Sequence, residues 1–273
     1  MRIWELWNNE DNLGLVTIGE EFPAILDEID GRSLVDSWTP IPVEIEGGKR
    51  KKKDFAVFLL KAPVVSGKTK ALLEPFLRDQ VEFLPLDYQP SDPKDNTTFY
   101  ICNVLNIVNC IDEEKSSRKY SKRGTFIDYD KIIFNERIFD IESELKIFKV
   151  SDISNKICFA TDQFKEFLES HSISGPNFKL IWDSEVDYEQ VELAYNETIL
   201  SINKDPQLIL SWSEAVERLE QGKSLISDRW KIRYDANQNL LLGSLNDDLT
   251  YDFVEPLYIP PILLDLKWKE IAT

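Results

Sequence analysis

Residues 62–72 read APVVSGKTKAL, and Gly67, Lys68 and Thr69 stand as the last residues of a phosphate-binding loop would stand. In such a loop glycines let backbone N–H groups wrap the phosphates, the lysine reaches the terminal phosphates and the hydroxyl holds magnesium. A hydrophobic run, FAVFLL (Phe55–Leu60), precedes the stretch, and a helical pattern follows it. The motif's first glycine is replaced by Ala62, and Pro63 comes next. Proline removes one N–H from the cradle and locks φ. Val64 and Val65 are stiff where the chain would have to fold back. Asp112, following IVNCI, is the acid that could bind the metal. The competing reading makes Ser66 a helix cap, Gly67 part of the first turn and Lys68 a surface charge.

Other reactive residue types are sparse. His171 is the one histidine, at the end of a predicted helix, where its charge complements the helix dipole. That role removes most His-dependent schemes: Ser-His-Asp, Cys-His, HExxH and the histidine-rich metal sites. Cys102, Cys110 and Cys158 are odd in number and form no CxxC, so they read as buried apolar thiols. Carboxylate pairs such as Glu113/Glu114 and Asp247/Asp248 arise by chance among 49 acids. No catalytic residue, cofactor or metal is assigned, and no enzyme activity is expected.

The 273 residues carry a net charge of −17. Nucleic acids and anionic membranes need a cationic surface, so neither is an expected partner; a basic protein is. Met1 leads into RIWELWNNEDN, too short and too acidic for a signal peptide, and no run of 18 apolar residues exists. A cytoplasmic protein is expected.

The elements that would position these residues are mostly strands. LGLVTI, IPVEI, FAVFLL, VEFLPL, FYICNVLNIVNCI and TFIDYDKIIF alternate with polar turns, which predicts antiparallel sheet rather than repeated βαβ units. Ser66 to about Leu77 is predicted helical, shortened or kinked by Pro75. GGKRKKKD and SSRKYSKRG (Ser116–Gly124) read as two exposed basic loops. ICFATDQFKEFLES is a strand-to-helix unit with Thr161 as cap, Asp162 at the helix N-terminus, and Phe164, Phe167 and Leu168 on the apolar face. SGPNFKLIW re-enters a strand. DSEVDYEQVELAYNE, with six acids and no cation, marks a boundary or linker. Beyond it Ser211 and Glu214 form a capping box, Gly222 ends that helix, and RWKIRYDANQNLLLGSL is a hairpin turning at Asp235–Asn239. YDFVEPLYIPPILLDLKWK is expected to run extended, punctuated by prolines. The fold class is α+β, a mostly antiparallel sheet with a few short helices. A domain over 1–185 is followed by a smaller helix-and-hairpin module over 186–273.

The order SWTPIPVEI, KDFAVFLLKAPVVSGKTKALLEPFL, VEFLPL, FYICNVLNIVNCID, IFKVSDISNKICFATDQFKEFL and SGPNFKLIWDS resembles a family of immunity proteins from bacterial polymorphic-toxin systems, immunity protein family eleven. The resemblance covers about residues 30–185. Its positions include Trp38, Asp54, Phe55, Pro63, Ser66, Leu72, Leu84, Pro85, Asn103, Asp112, Phe148, Thr161, Phe164, Phe178 and Trp182. The resemblance implies a non-catalytic α+β inhibitor, made beside a toxin and binding it to protect the producing cell.

Two functions follow. The first is an antitoxin-type immunity protein whose partner is a cognate toxin domain with a basic surface. The acidic stretch Asp183, Glu185, Asp187, Glu189 and Glu192 is the candidate partner-binding surface, with Tyr188 and Tyr195 as anchors. The alternative is a nucleotide-binding enzyme using Gly67, Lys68, Thr69 and Asp112.

Overall fold

The computed structural model describes residues 1–7, 9, 12–19, 24–46, 54–58, 62–141 and 144–271. The chain divides into two compact units, Met1–Glu185 and Val186–Thr273. The described residues build a mostly antiparallel α+β protein.

In chain order the first unit holds β1 (Arg2–Trp7), β2 (Leu13–Thr17), β3 (Ile41–Glu46), β4 (Phe55–Val57), β5 (Val64–Ser66), α1 (Gly67–Leu77), β6 (Val81–Tyr88), β7 (Phe99–Val104), β8 (Ile107–Val108), β9 (Ser117–Tyr120), β10 (Phe126–Lys131), α2 (Glu136–Ile141), β11 (Ile147–Val150), β12 (Phe159–Thr161), α3 (Asp162–Ser170) and β13 (Asn177–Asp183). Six of the strands close a barrel in the order β2-β3-β6-β7-β5-β4. The pairs β2/β4 and β3/β6 are parallel and the others antiparallel. Leu13, Leu15, Val43, Val64, Leu84 and Ile101 fill its interior, and Leu26, Ile29 and Leu34 from the β2–β3 connection join that core. Alternate residues point the other way. Val65, Val81, Cys102 and Val104 on the barrel's outside pack with Leu73 and Leu77 of α1, Ile147 and Ala160 of the second sheet, and Phe164 and Leu168 of α3.

That second sheet has the order β13-β1-β12-β11-β8, with β8/β11 its one parallel pair. Phe148 and Phe159 stack at 5.6 Å, and Phe134 meets them and Trp182 edge-on. Arg2–Trp7, to which the sequence reading assigns no element, is a strand paired on both sides, with β12 and with β13.

Several expectations are corrected. The basic stretch Ser116–Gly124 is a loop only in part: Ser117–Tyr120 is β9, paired antiparallel with β10 as a two-stranded ribbon, and residues 121–124 form the exposed turn between them. Arg118 holds it, bonding Glu113 and Asp152 at 2.7 Å and lying over Phe126 and Tyr129. α1 runs through Pro75 to Leu77, because the missing N–H falls in the last turn and leaves only the exposed Ala71 carbonyl without its helical partner. Thr161 does not cap α3 through its side chain; its hydroxyl donates to the Leu145 carbonyl at 3.0 Å. Asp162 accepts from the Arg2 N–H at 3.0 Å and from Trp4 Nε1 at 2.9 Å, tying α3 to β1. The GGKRKKK run and Leu59–Leu60 of FAVFLL lie outside the described residues.

The second unit holds α4 (Tyr188–Asn203), α5 (Trp212–Glu220), β14 (Ser224–Ser227), β15 (Trp230–Tyr234), β16 (Leu240–Leu245), β17 (Tyr251–Val254), α6 (Pro261–Leu264) and β18 (Lys269–Ile271). Its sheet has the order β17-β16-β15-β14-β18, antiparallel throughout. Ala215 and Leu219 of α5 pack with Leu225, Ile232, Leu242, Leu263 and Trp268. The Ser211–Glu214 capping box is present and Gly222 follows α5 with φ 77°. The β15–β16 turn is closed by Asp235, whose carboxylate accepts from the Asn237 and Asn239 N–H groups. The acidic stretch read as a boundary or linker spans the division between the units and forms most of α4, started by Asp187, which accepts from the Glu189 and Gln190 N–H groups at 3.1 Å. The C-terminal segment is not extended throughout, since Pro261 opens the short α6.

Candidate partner-binding surface

The stretch that could have bound phosphate is used up by the fold. Val64 and Val65 pair with β4 and β7 as a short strand buried on both faces, the place where β-branched residues fit. The Pro63 carbonyl accepts from the Cys102 N–H at 2.8 Å. Ser66 caps α1, its Oγ accepting from the Thr69 N–H at 3.3 Å and lying 3.0 Å from Thr69 Oγ1. The Gly67 N–H donates to the Thr98 carbonyl at 2.8 Å, and a Cβ at Gly67 would collide with Thr98 Oγ1. Glycine is there for that close approach. Thr69 is 1% exposed, with its hydroxyl on Ser66, while Lys68 is exposed. Asp112 closes a turn by accepting from the Glu114 and Lys115 N–H groups. These residues therefore present no converging N–H cradle.

The other reactive types are also structural. His171 is the C-cap residue of α3, its Nδ1 2.9 Å from the Phe167 carbonyl and its ring against Phe167. Cys102, Cys110 and Cys158 are buried free thiols. Burial pushes the Cys102 thiol well up and the Cys158 thiol up to about 11, the opposite of an activated nucleophile. Among the described residues no group of three or more His, Cys, Asp or Glu could hold a metal ion. No described helix is long and apolar enough to cross a membrane.

The polar cluster that sequence reading missed surrounds Arg118. Its guanidinium holds Glu113 below the usual carboxylate range, and burial, with Asp152 accepting its hydroxyl at 3.0 Å, raises the Tyr129 phenol. With both carboxylates engaged, the cluster stiffens the base of the ribbon. Two carboxylates and a tyrosine spread over forty residues leave no local spacing to recognise.

The candidate acidic residues fall in both units. Asp183 ends β13, where it is half-buried and accepts from the Glu185 N–H at 3.0 Å; Glu185 is exposed. In the second unit Asp187 caps α4, Glu189 and Glu192 are exposed on it, and Tyr188 and Tyr195 are half-buried. Tyr188, Glu192 and Tyr195 recur at helical spacing along one side of α4. No residue of α4 is fully buried.

The barrel packs against the aromatic sheet through a shared core. A family model described as Immunity protein family (Imm11) matches residues 46–183, half of the chain, and the chain belongs to that family. No curated protein matches it. The matched segment takes in the barrel from β4 onward and every strand of the aromatic sheet except β1. The residues that carry the resemblance hold these parts together. Trp38 Nε1, just outside the match, donates to the Pro85 carbonyl at 2.8 Å. Asp54 accepts from the Ser174 N–H at 3.0 Å, and the buried Asn103 bonds the Arg32 carbonyl at 2.8 Å. Phe55, Leu84, Phe148, Phe164 and Trp182 are buried.

Proposed function

We propose that this chain is an antitoxin-type immunity protein of a polymorphic-toxin system: it binds a cognate toxin domain in the cytoplasm of the producing cell and neutralises it by contact. Membership of the immunity family over residues 46–183 carries the reading. The net charge of −17 supports a partner with a basic surface, because opposite fields accelerate encounter and disfavour nucleic acid or anionic lipid as competitors. Asp183, Glu185, Asp187, Glu189 and Glu192 are the proposed partner-facing acids, with Tyr188 and Tyr195 beside them.

The test is stopped-flow association with the toxin domain encoded beside this chain, comparing wild type with a variant in which the five acids become Asn or Gln. Asparagine at position 187 can still cap α4, so the helix survives the change. Association should slow by about tenfold or more at low ionic strength, and the gap should close as salt shortens the Debye length. Equal rates at low salt would remove the acidic stretch from the interface. A wild-type chain that neither binds nor protects against that toxin would remove the function.

A further inference from the structure

We propose that a cationic cleft in the second unit binds a small phosphate-bearing anion, at a site outside the segment that the immunity family matches. The cleft has a volume of about 250 Å³ and lies where Lys223, just after α5, meets the end of β15 and the β15–β16 turn. Lys223, Lys231 and Arg233 line it, together with Ser224 and Gln238. Residues 186–273 carry sixteen Asp and Glu and eight Lys and Arg, and three of those eight cations meet in this one cleft.

The acids at the cleft are already engaged. Asp235 lines it too, but its carboxylate accepts from the Asn237 and Asn239 N–H groups, both at 2.8 Å, and closes the turn. Glu270 pairs with Lys223 at 2.9 Å. Among the described residues Lys231 and Arg233 make no ion pair. Two apart on β15, they share a face of the sheet, and aromatic rings of β17 hold them there. Arg233 lies 4.0 Å over Phe253, and Lys231 Nζ lies 5.5 Å from the Tyr251 ring. Gly243 of β16 makes room for this, since a Cβ there would lie 2.7 Å from Phe253. A ring beneath a cation fixes its position without neutralising its charge, so both side chains keep donors for a ligand.

Charge and size select the ligand. Cations gathered in one cleft repel one another, and a dianion between them offsets that repulsion better than a lone carboxylate does. The arginine fork matches phosphate oxygens, and the lysines add point charges beside it. Pockets for drug-sized ligands begin at about 300 Å³, so this cleft suits a phosphate with a short organic group and is too small for a nucleotide.

The experiment is isothermal titration calorimetry of the full chain with inorganic phosphate and with glycerol phosphate, and with acetate as the monoanionic control. Both phosphates should saturate with Kd of about 1 mM or tighter, and acetate should bind about tenfold more weakly. Arg233→Gln and Lys231→Gln should each weaken phosphate binding by about tenfold or more, as for loss of a charge-assisted hydrogen bond. Lys267→Gln removes the same charge from an exposed residue outside the cleft and should leave the affinity within about twofold of wild type. Circular dichroism checks each fold, and Lys231→Gln keeps the test intact if Arg233→Gln does not fold. Tighter binding of the ester would assign the cleft to a phosphorylated metabolite and equal binding to free phosphate; either upholds the site. No saturation by either phosphate up to about 10 mM would overturn it. So would an equal loss in Lys267→Gln, which would reduce the effect to general surface charge. Saturation by a glutamate-rich peptide and by neither phosphate would give the cleft to an acidic protein segment and overturn the inference. The immunity function is read separately, by toxin binding, and stands or falls on its own test.

Discussion

Replacing Ser66 by alanine separates the two readings of APVVSGKTKAL. In the structure Ser66 Oγ receives the Thr69 N–H at 3.3 Å and lies 3.0 Å from the Thr69 hydroxyl, on a residue 1% exposed. Loss of an N-cap costs about 1 kcal/mol, and a buried hydroxyl left without its partner costs about 1 kcal/mol more at the low end of its range. Together these destabilise the first unit by about 2 kcal/mol, or about 4–8 °C in its melting temperature for a unit of this size. Lys68→Ala removes an exposed charge and should change stability by less than about 0.5 kcal/mol. Thermal and urea unfolding of both variants, beside a titration with ATP and magnesium, forms the assay. Unchanged stability in Ser66→Ala would refute the cap. ATP binding that disappears in Lys68→Ala would refute the whole account of the segment and restore a nucleotide site.

Further outcomes follow from single positions. Glu5 is 7% exposed, and burial raises its carboxyl above the ordinary 4.5, against the opposing pull of Trp7 and Lys179. A raised carboxyl favours the folded state below the unfolded value and loses that contribution as pH climbs through the folded value. Glu5→Gln should therefore be more stable than wild type at pH 7, with the advantage fading as pH falls through the raised folded value and gone by about pH 4.5 in a pH series of urea melts. Gly175 has φ 142°, and a Cβ there would lie 2.7 Å from Phe55 Cβ. Gly175→Ala should destabilise the first unit by about 2 kcal/mol or more, read by urea unfolding. Ser211→Ala removes the α5 capping box and should lower the second unit's stability by about 1 kcal/mol, followed by Trp212 and Trp268 fluorescence.

Local chemistry was legible wherever neighbours in sequence are neighbours in space. Ser66 and Ser211 as caps, Gly222 after α5, the Asp235–Asn239 turn and the helical face of Phe164, Phe167 and Leu168 depend on contacts within a few residues. Errors arose where a distant partner overrode the local preference. Thr161 looks like a cap, yet its hydroxyl finds the Leu145 carbonyl sixteen residues away. SSRKYSKRG looks like a solvated loop throughout, yet Arg118 binds Asp152 and Ser117–Tyr120 becomes a strand, leaving residues 121–124 as its turn. RIWELW carries no turn signal of its own; it becomes a strand because β12 and β13, more than 150 residues downstream, supply both of its edges.

The same division runs through the function. Sequence by itself determined the charge, the single histidine and the order of hydrophobic motifs that marks the immunity family, since each is a property of composition or of linear order. Only the tertiary structure decided that Val64 and Val65 belong to a barrel wall rather than a phosphate cradle, because a strand buried on two faces is defined by the layers around it. It also decided that Leu257 and Tyr258 stand in solvent while Ile259 and Leu263 are held in the core. In sequence these four residues lie within one apolar, proline-rich run, and burial is set by what the rest of the chain places against each of them.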